Sequence, residues 1–282
     1  MGKFSGILIC SDCDGTLTDK EKRVSKENGD AIRYFQENGG LFTVASGRFP
    51  HYARNYGNRF TPNTYVIASN GSVLYDLKAE KAVFVSDMGD KARLFLKDLI
   101  REVKSVKNVC ATGEDDAVFK IANTDEMIVD FYTRQEVFLP KVTTEDEVEY
   151  LFRKYKEKIA RYIIFTDLEK VDSAVDYCTE HFSEKYGLKF VKSSENGFEA
   201  QNKEGGKGEM IAKIKELIPE IHTAVAVGDN FNDLSMFQYS DVSYAVANAP
   251  EAVKAQATKV TVSNEESAIA AVIRDIENNL SN

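Results

Sequence analysis

A short apolar run that ends in two closely spaced acids constrains the fold more than any other feature. Residues 6–10 (GILIC) are typical of a buried strand, and residues 12–16 (DCDGT) follow at once, with Gly15 marking a chain reversal. Ligands bind at the carboxyl ends of strands in open α/β sheets, so Asp12 and Asp14 are expected to point into one crevice. Carboxylates this close repel each other unless a bound cation balances their charge or one of them takes part in proton exchange. The run therefore indicates a Mg²⁺-assisted phosphoryl-transfer site; the alternative is an acidic turn, because Asp, Gly and Thr all favour turns.

The composition describes a globular protein with an ample core and an acidic balance. The chain has 282 residues, of which 43% are hydrophobic and 29% charged, enough for one large domain or two smaller ones. Its net charge of −9 argues against a nucleic-acid partner, because phosphate backbones bind basic faces. No run approaches the roughly 18 apolar residues of a membrane span, and the N-terminal apolar run is too short for a signal peptide. We therefore expect a cytoplasmic protein without a membrane partner, either a monomer or a small homo-oligomer.

The four cysteines lack the spacing of metal fingers. Cys10 and Cys13 form a C-x-x-C pattern, which leaves a redox motif as an alternative. The aspartates on either side of Cys13 disfavour a reactive thiolate, so reduced thiols in a cytosolic protein fit better.

The order of the predicted elements indicates an α/β fold with a Rossmann-like parallel-sheet core and helices on both faces. Strand and helix patterns alternate over the first 80 or so residues and again near the C-terminus, which is typical of a parallel sheet. The strand patterns lie at 6–10, 41–45, 65–68, 223–227, 242–246 and 259–262, and the helical patterns at 25–38, 208–218 and 269–280.

A charge-dense middle segment separates the two halves of this core. We predict a core made of residues 1–83 and 191–282, with an α+β domain inserted at 84–190. The patterns in the insertion are helical at 145–158 and 168–182 and strand-like at 117–121 and 162–165.

Three further segments carry polar residues at the end of a predicted strand or the start of a helix. Residues 46–48 (SGR) follow the second strand, where a hydroxyl and loop N–H groups can bind phosphoryl oxygens, although a plain helix cap is the alternative. Lys207 lies among glycines at a helix start and can neutralise a phosphoryl group, although such a lysine is often only a solvated charge. Residues 228–233 (GDNFND) form an oxygen-rich cluster suited to Mg²⁺, although Asn232 and Asp233 could simply cap a helix.

Taken together, these segments favour one site, because the carboxyl ends of the strands meet at one rim of the sheet. In their order along the chain, DCDGT, SGR, GGKG and GDNFND resemble the four motifs of the haloacid dehalogenase-like superfamily of phosphohydrolases. The insertion resembles, by position and size, the type II cap of the Cof-type subfamily IIB. Residues 69–71 (SNG) and 247–250 (ANAP) support the resemblance.

The resemblance implies a phosphatase that acts through a covalent intermediate. Asp12 is expected to attack phosphorus and form an aspartyl-phosphate, and Asp14 to act as general acid and then general base. Mg²⁺ is expected to be held by the Asp12 carboxylate, the Asp14 main-chain carbonyl and Asp229. Asp233 is expected to orient either Lys207 or a water molecule bound to the metal, and not to bind the metal itself.

The same resemblance assigns the phosphate-binding groups and the substrate. Ser46, Gly47, Asn232 and Lys207 are expected to hold the phosphoryl oxygens, and Arg48 to support the loop. The expected substrate is a small phosphorylated metabolite, such as a sugar phosphate or a phosphorylated cofactor. The inserted cap is expected to choose it; its residues 131, 132 and 134 (Phe, Tyr and Arg) are conspicuous, but such aromatics more often form a core.

Two other functions remain as alternatives. A phosphomutase is one, because related type II cap proteins include phosphomannomutases. A receiver-type phospho-accepting switch is the other, although receivers are about half this length and lack an acid at the position of Asp14 to activate water.

Overall fold

The computed structural model describes residues 2–51, 59–123, 128–129 and 136–280. Residues Phe131, Tyr132 and Arg134 lie outside these ranges. The chain divides into two compact units, one formed by Met1–Phe84 with Gly205–Asn282 and the other by Val85–Glu204. Within the described part, no helix combines the length and the apolar character needed to cross a membrane.

The strands, in chain order, are β1 (Ile7–Asp12), β2 (Leu41–Ala45), β3 (Val66–Ala68), β4 (Val73–Asp76), β5 (Lys81–Val85), β6 (Val106–Thr112), β7 (Ala117–Ala122), β8 (Ile128–Val129), β9 (Glu136–Val137), β10 (Arg161–Thr166), β11 (Leu188–Ser194), β12 (Gly197–Asn202), β13 (Thr223–Gly228), β14 (Val242–Ala245) and β15 (Lys259–Val260). The helices are α1 (Lys26–Glu37), α2 (Asp90–Glu102), α3 (Glu145–Lys154), α4 (Val171–Tyr186), α5 (Lys207–Leu217), α6 (Leu234–Tyr239), α7 (Glu251–Lys254) and α8 (Ala268–Leu280).

The first unit is built on a sheet with the strand order β15-β14-β13-β1-β2-β3-β4-β5. The pairs from β15 to β3 are parallel, and β4 runs antiparallel to β3. Every residue of β1 is buried, which requires cover on both faces because successive side chains of a strand point to opposite sides. The helices α1 and α8 pack against each other, as do α5 and α6. The predicted parallel α/β core is therefore confirmed.

The parallel order explains why the polar loops gather. β1 lies between β13 and β2, with Ser11 in register with Val227 and Asp12 with Ala45. The chain segments that leave β1, β2 and β13 therefore begin side by side at the same edge of the sheet.

The second unit has a separate antiparallel sheet with the order β11-β12-β10-β6-β7. One face of that sheet packs on helices through a core that contains Phe95, Tyr162, Phe182 and Phe198. The pair β8 and β9 forms a small antiparallel sheet of its own.

The division in the structure differs from the prediction at its second boundary. We predicted an insertion at 84–190, but the second unit extends to Glu204. The physical reason is strand pairing: β11 and β12 pair with each other, and β12 also pairs with β10. These residues therefore belong to the antiparallel sheet and not to the parallel one.

Candidate active site

Asp12, the last residue of β1, lies beside a buried lysine from a distant part of the chain. The side chain of Lys207, at the start of α5, is 1% exposed, and its Nζ donates to Asp12 Oδ1 at 2.5 Å and to Asp233 Oδ1 at 2.6 Å. Burial opposes the charge of this ammonium, but the two carboxylates outweigh it and raise the pKa of Lys207. The lysine therefore stays protonated and links the first and last predicted motifs.

A close backbone contact fixes the position of Lys207. The N–H of Gly206 donates to the carbonyl of Gly71 at 3.0 Å. Gly71 has a φ of +86°, and a Cβ there would lie 1.9 Å from the carbonyl carbon of Gly206. Only glycine fits this approach, so residues 69–71 support the start of α5.

Asp233 is fully buried and joins Lys207 to the loop after β13. Its Oδ1 accepts from Lys207, and its Oδ2 accepts from the backbone N–H groups of Asp229 at 3.0 Å and Asn230 at 3.1 Å. Both carboxylate oxygens therefore have donors, an arrangement that holds the loop and the lysine in fixed positions.

Three carboxylates form a cluster with the properties of a cation site. Oxygen atoms of Asp12, Asp229 and Asp233 lie within 4.8 Å of one another. Burial and the charge of Asp233 raise the pKa of Asp229 to about 6, and burial raises the pKa of Asp12 despite Lys207. Three acids face one ammonium, so the cluster has an excess of two negative charges when ionised. A divalent cation would balance this charge, and carboxylate oxygens are ligands that Mg²⁺ prefers. The residues present therefore fit a metal ion, with Asp233 in the cluster as well as the predicted Asp12 and Asp229.

The loop after β1 packs against Asp229. Thr16 Oγ1 donates to Asp229 Oδ1 at 2.8 Å. Gly15 has a φ of +89°, and a Cβ there would lie 2.6 Å from Asp229 Oδ2. The carbonyl of Gly15 accepts from Asn248 Nδ2 at 2.9 Å. Gly15 is therefore required by the backbone conformation and by the close approach of this carboxylate.

Ser46 directly follows β2 and is 4% exposed. Its Oγ accepts from the Arg48 N–H at 3.2 Å, and its carbonyl accepts from the Asn70 N–H at 2.9 Å. Asn232 Nδ2 in turn donates to Asn70 Oδ1 at 3.3 Å. The side chain of Asn70 also packs on Gly47, where an added Cβ would lie 3.2 Å from Asn70 Nδ2. Asn70 therefore contacts predicted phosphate-binding residues in two loops, the one after β2 and the one after β13.

The carboxylate of Asp14 lies among cations. Arg48 donates to it with two nitrogens, Nε to Oδ2 at 3.1 Å and Nη2 to Oδ1 at 2.6 Å, and Lys22 Nζ lies 3.0 Å from Oδ1. Burial raises the pKa of Asp14, but Arg48 and Lys22 together outweigh it and hold that pKa below its usual value. Its side chain is 37% exposed, so it is open to solvent in a way that Asp12 is not.

The cysteines do not offer a redox site. All four are buried, and burial raises the pKa of the Cys10 thiol. A thiolate is the reactive form, so the burial of Cys10 and Cys13 does not favour the redox interpretation of the C-x-x-C spacing.

The structure thus brings Asp12, Lys207, Asp229 and Asp233 into one cluster, and Ser46, Gly47 and Asn232 around Asn70. Lys22 and Thr16 contact the acidic residues, and neither contact was predicted from the sequence. Thr16 lies in the first motif, which is the signal that could have found it. Lys22 lies in a charged loop that contains other lysines, so no local signal distinguishes it.

Comparisons with known proteins agree with this architecture. The fold combines a parallel α/β core with an inserted antiparallel unit. The model of the haloacid dehalogenase-like hydrolase family matches residues 9–273. The chain belongs to this family, and the expectation of a HAD-like phosphatase is confirmed at the level of the family.

Two relatives and two solved structures illustrate the similarity. The chain is 26% identical over 286 residues to the phosphatase YwpJ of Bacillus subtilis, covering 95% of this chain and 99% of that protein. It is 26% identical over 278 residues to YwtE of the same organism, a 5-amino-6-(5-phospho-D-ribitylamino)uracil phosphatase, covering 93% of this chain and 95% of that protein. The fold is similar to that of TM0651 from Thermotoga maritima, with a TM-score of 0.73, 22% identity and coverage of 95% and 96%. It is also similar to BT4131, a subclass IIB sugar phosphatase, with a TM-score of 0.72, 19% identity and coverage of 95% and 98%.

Proposed function

We propose that this protein is a Mg²⁺-dependent phosphatase that hydrolyses small phosphorylated metabolites through a phosphoryl group on Asp12. One observation carries the proposal: the buried Lys207 bridges Asp12 and Asp233 while Asp229 lies in the same carboxylate cluster. A carboxylate is a weak nucleophile, so fixed position and neutralised charge must supply most of the rate acceleration.

In the first step, a carboxylate oxygen of Asp12 forms a bond to phosphorus as the bond from phosphorus to the ester oxygen breaks. Lys207 holds Asp12 in place and offsets the charge on the transferring phosphoryl oxygens. Ser46, the backbone of Gly47 and Asn232 bind those oxygens. The lowered pKa of Asp14 keeps it ionised in the free protein, so Asp14 takes up a proton when the substrate binds and then gives that proton to the leaving ester oxygen.

In the second step, a water attacks the phosphorus of the aspartyl-phosphate and gives its proton to Asp14. The bond between phosphorus and the Asp12 oxygen breaks, inorganic phosphate leaves and both carboxylates return to their first state. An acid two residues beyond the nucleophile is what makes hydrolysis rapid, which is why we propose a phosphatase and not a receiver-type switch.

Asp12, Asp229 and the main-chain carbonyl of Asp14 are the proposed Mg²⁺ ligands. When bound, Mg²⁺ supplies positive charge that screens the acids from the phosphate dianion and stabilises the transition state. Asp233 has both oxygens engaged by nitrogen donors, so its proposed role is to position Lys207 and the loop of Asp229.

The substrate class rests on the relatives and on the inserted unit. YwtE acts on a phosphorylated ribitylaminouracil and BT4131 on sugar phosphates, so we propose a phosphorylated small metabolite here too. The second unit is the proposed cap that selects the leaving group. We further propose a cytoplasmic monomer or small homo-oligomer, with neither nucleic acid nor membrane as partner.

The proposal is tested with a panel of phosphorylated metabolites, assayed for phosphate release with Mg²⁺ and with a chelator. Release that requires Mg²⁺ and is lost in Asp12→Asn supports it. Release that persists with the chelator, or in that variant, contradicts it. A phosphomutase would instead isomerise a sugar phosphate when a bisphosphate activator is added, and this product is measured in the same assay.

A further inference from the structure

We propose that Lys22, together with Arg48, forms a subsite for a second negative group on the substrate, carried by the part that leaves with the ester oxygen. This inference rests on the proposed function, because it uses Asp14 as the group that protonates that oxygen. It narrows the substrate class to phosphate esters with a carboxylate or a second phosphate close to the ester.

The loop that bears Lys22 has a defined structure that aims its ammonium at Asp14. The Asp19 N–H donates to the Arg23 carbonyl at 2.9 Å, and the Asp19 side-chain Oδ1 accepts from the Arg23 N–H at 2.8 Å. Within this turn, the Lys22 N–H donates to the Asp19 carbonyl at 2.9 Å. Lys22 has a φ of +61°, a left-handed conformation that costs energy for a residue other than glycine. A strained residue that contacts a reactive carboxylate indicates a functional constraint.

The contacts of Asp14 locate these cations relative to the substrate. The ester oxygen must come within hydrogen-bond distance of the Asp14 carboxylate to receive its proton. Lys22 Nζ lies 3.0 Å from Asp14 Oδ1, and Arg48 Nη2 lies 2.6 Å from the same oxygen. The hydrogen bond from Asp14 to the ester oxygen and the one from Lys22 to Asp14 together span about 6 Å. An acidic group two or three covalent bonds from the ester oxygen can therefore reach Lys22.

The charge around Asp14 favours an anion. Lys22 and Arg48 both bring positive charge to the Asp14 carboxylate, on the side where the leaving group departs. The side chains of Lys22, Arg48 and Asp14 are 58%, 42% and 37% exposed, so a ligand can approach them. Exposed ion pairs contribute little to stability, so Lys22 can turn from Asp14 to a substrate anion at small cost.

The test uses three esters on the same two-carbon frame: hydroxyethyl phosphate, phosphoglycolate and ethylene glycol bisphosphate. Their leaving groups carry a neutral hydroxyl, a carboxylate and a second phosphate, so the comparison isolates charge and identifies its source. We expect kcat/KM in the wild type to be about tenfold higher for at least one of the anionic esters than for the neutral one, after correction for the two equivalent phosphates of the bisphosphate.

Two variants of Lys22 and one control assign the preference to this residue. Lys22→Met is expected to reduce the preference to about twofold, mainly through KM, and Lys22→Arg to retain most of it. Lys20→Met removes the same charge from the same loop at a side chain that is 77% exposed and pairs only distantly with Glu21, at 4.0 Å. This control is expected to keep both the rate and the preference.

Equal kcat/KM for the three esters in the wild type overturns the subsite. So does a Lys22→Met variant that slows all three esters by the same factor, because Lys22 then only positions Asp14. If the wild type hydrolyses none of the three esters, p-nitrophenyl phosphate is assayed as well, and failure on that ester too means that the proposed function is wrong. The subsite is then judged by calorimetry: tighter binding of phosphoglycolate than of hydroxyethyl phosphate, lost in Lys22→Met, supports it, and equal binding overturns it.

Discussion

Asp12 and Asp14 are two residues apart in the chain, yet their carboxylates lie in opposite surroundings. The side chain of Asp12 is 11% exposed, and burial among other acids raises its pKa even though Lys207 contacts it. The side chain of Asp14 is 37% exposed, and Arg48 and Lys22 lower its pKa against the effect of partial burial. One carboxylate thus lies among other acids, and the other lies beside two cations.

The difference matches two separate chemical tasks. A nucleophile that must meet a phosphate dianion needs added positive charge, and the Asp12 cluster is built to attract a divalent cation. A group that exchanges protons with a leaving group and with water needs access to both, which the exposure of Asp14 provides. The four predictions below test this contrast, from the largest expected effect to the smallest.

The largest effect is expected from Asp12→Asn. An amide does not form the acyl phosphate, so kcat on p-nitrophenyl phosphate should fall by at least about a thousandfold. The melting temperature should not fall, because the variant removes one of three mutually repelling acids. A variant that keeps more than a few per cent of the rate would remove Asp12 as the nucleophile.

Lys207→Met should destabilise the fold strongly. It leaves buried carboxylates without their counter-charge, so the metal-free protein should lose about 3–5 kcal/mol in urea unfolding. Lys213→Met on the same helix is the matched control, because Lys213 is 39% exposed and pairs with Glu216. It should change the free energy of unfolding by less than about 1 kcal/mol. Equal effects of the two substitutions would mean that Lys207 has no special electrostatic role.

Stabilisation by Mg²⁺ should increase as the pH rises through about 6. Asp229 has a pKa of about 6, above its ordinary value, so the folded metal-free protein holds a proton that the unfolded chain has lost. The contribution of Asp229 to stability therefore falls as pH rises towards 6, and Mg²⁺ reverses this by favouring the ionised form. Mg²⁺ should raise the melting temperature more at pH 7.5 than at pH 5. At pH 5, below the pKa of Asp229, protons compete with Mg²⁺ for this carboxylate. The same shift at both values, or an unchanged shift in Asp229→Asn, would contradict the cation site.

The smallest effect on stability is expected from Arg48→Met. The pair with Asp14 is partly exposed, so its loss should cost less than about 1 kcal/mol. The pKa of Asp14 should rise, because the guanidinium that lowers it is gone, and a carboxyl-carbon NMR titration measures that change. Arg33→Met, which removes an exposed arginine from α1, serves as the control. A fall in the pKa of Asp14, or no change, would show that Arg48 does not set its charge.

Much of the first unit could be predicted because its information is local. The runs at 41–45 and 223–227 became β2 and most of β13, and the polar motifs lie where those strands end. Ser25 caps α1, where it accepts from the Asn28 N–H at 3.0 Å, close to the predicted start of that helix. Buried parallel strands and capped helices leave clear patterns in short windows of sequence.

The rest depends on contacts between distant residues. The sequence of residues 188–202 does not predict whether its strands join the parallel or the antiparallel sheet. They join the antiparallel sheet because β12 pairs with β10. The place of Asp233 in the carboxylate cluster likewise depends on how separate loops meet, and the contact of Lys22 with Asp14 depends on how the segment between β1 and α1 folds back on itself. Such partners are set by tertiary structure, and a single sequence contains no local signal for them.

The location of the phosphoryl group in a stalled enzyme tests the central claim most directly. Asp14→Asn should still complete the first step with p-nitrophenyl phosphate, because p-nitrophenolate leaves without a proton, and should then stall because no base activates water. After acid quenching and proteolysis, mass spectrometry should find one phosphoryl group on the peptide that contains Asp12, and none when Asp12→Asn is added. A phosphoryl group on any other residue, or phosphate release by Asp14→Asn at the wild-type rate, would contradict the account.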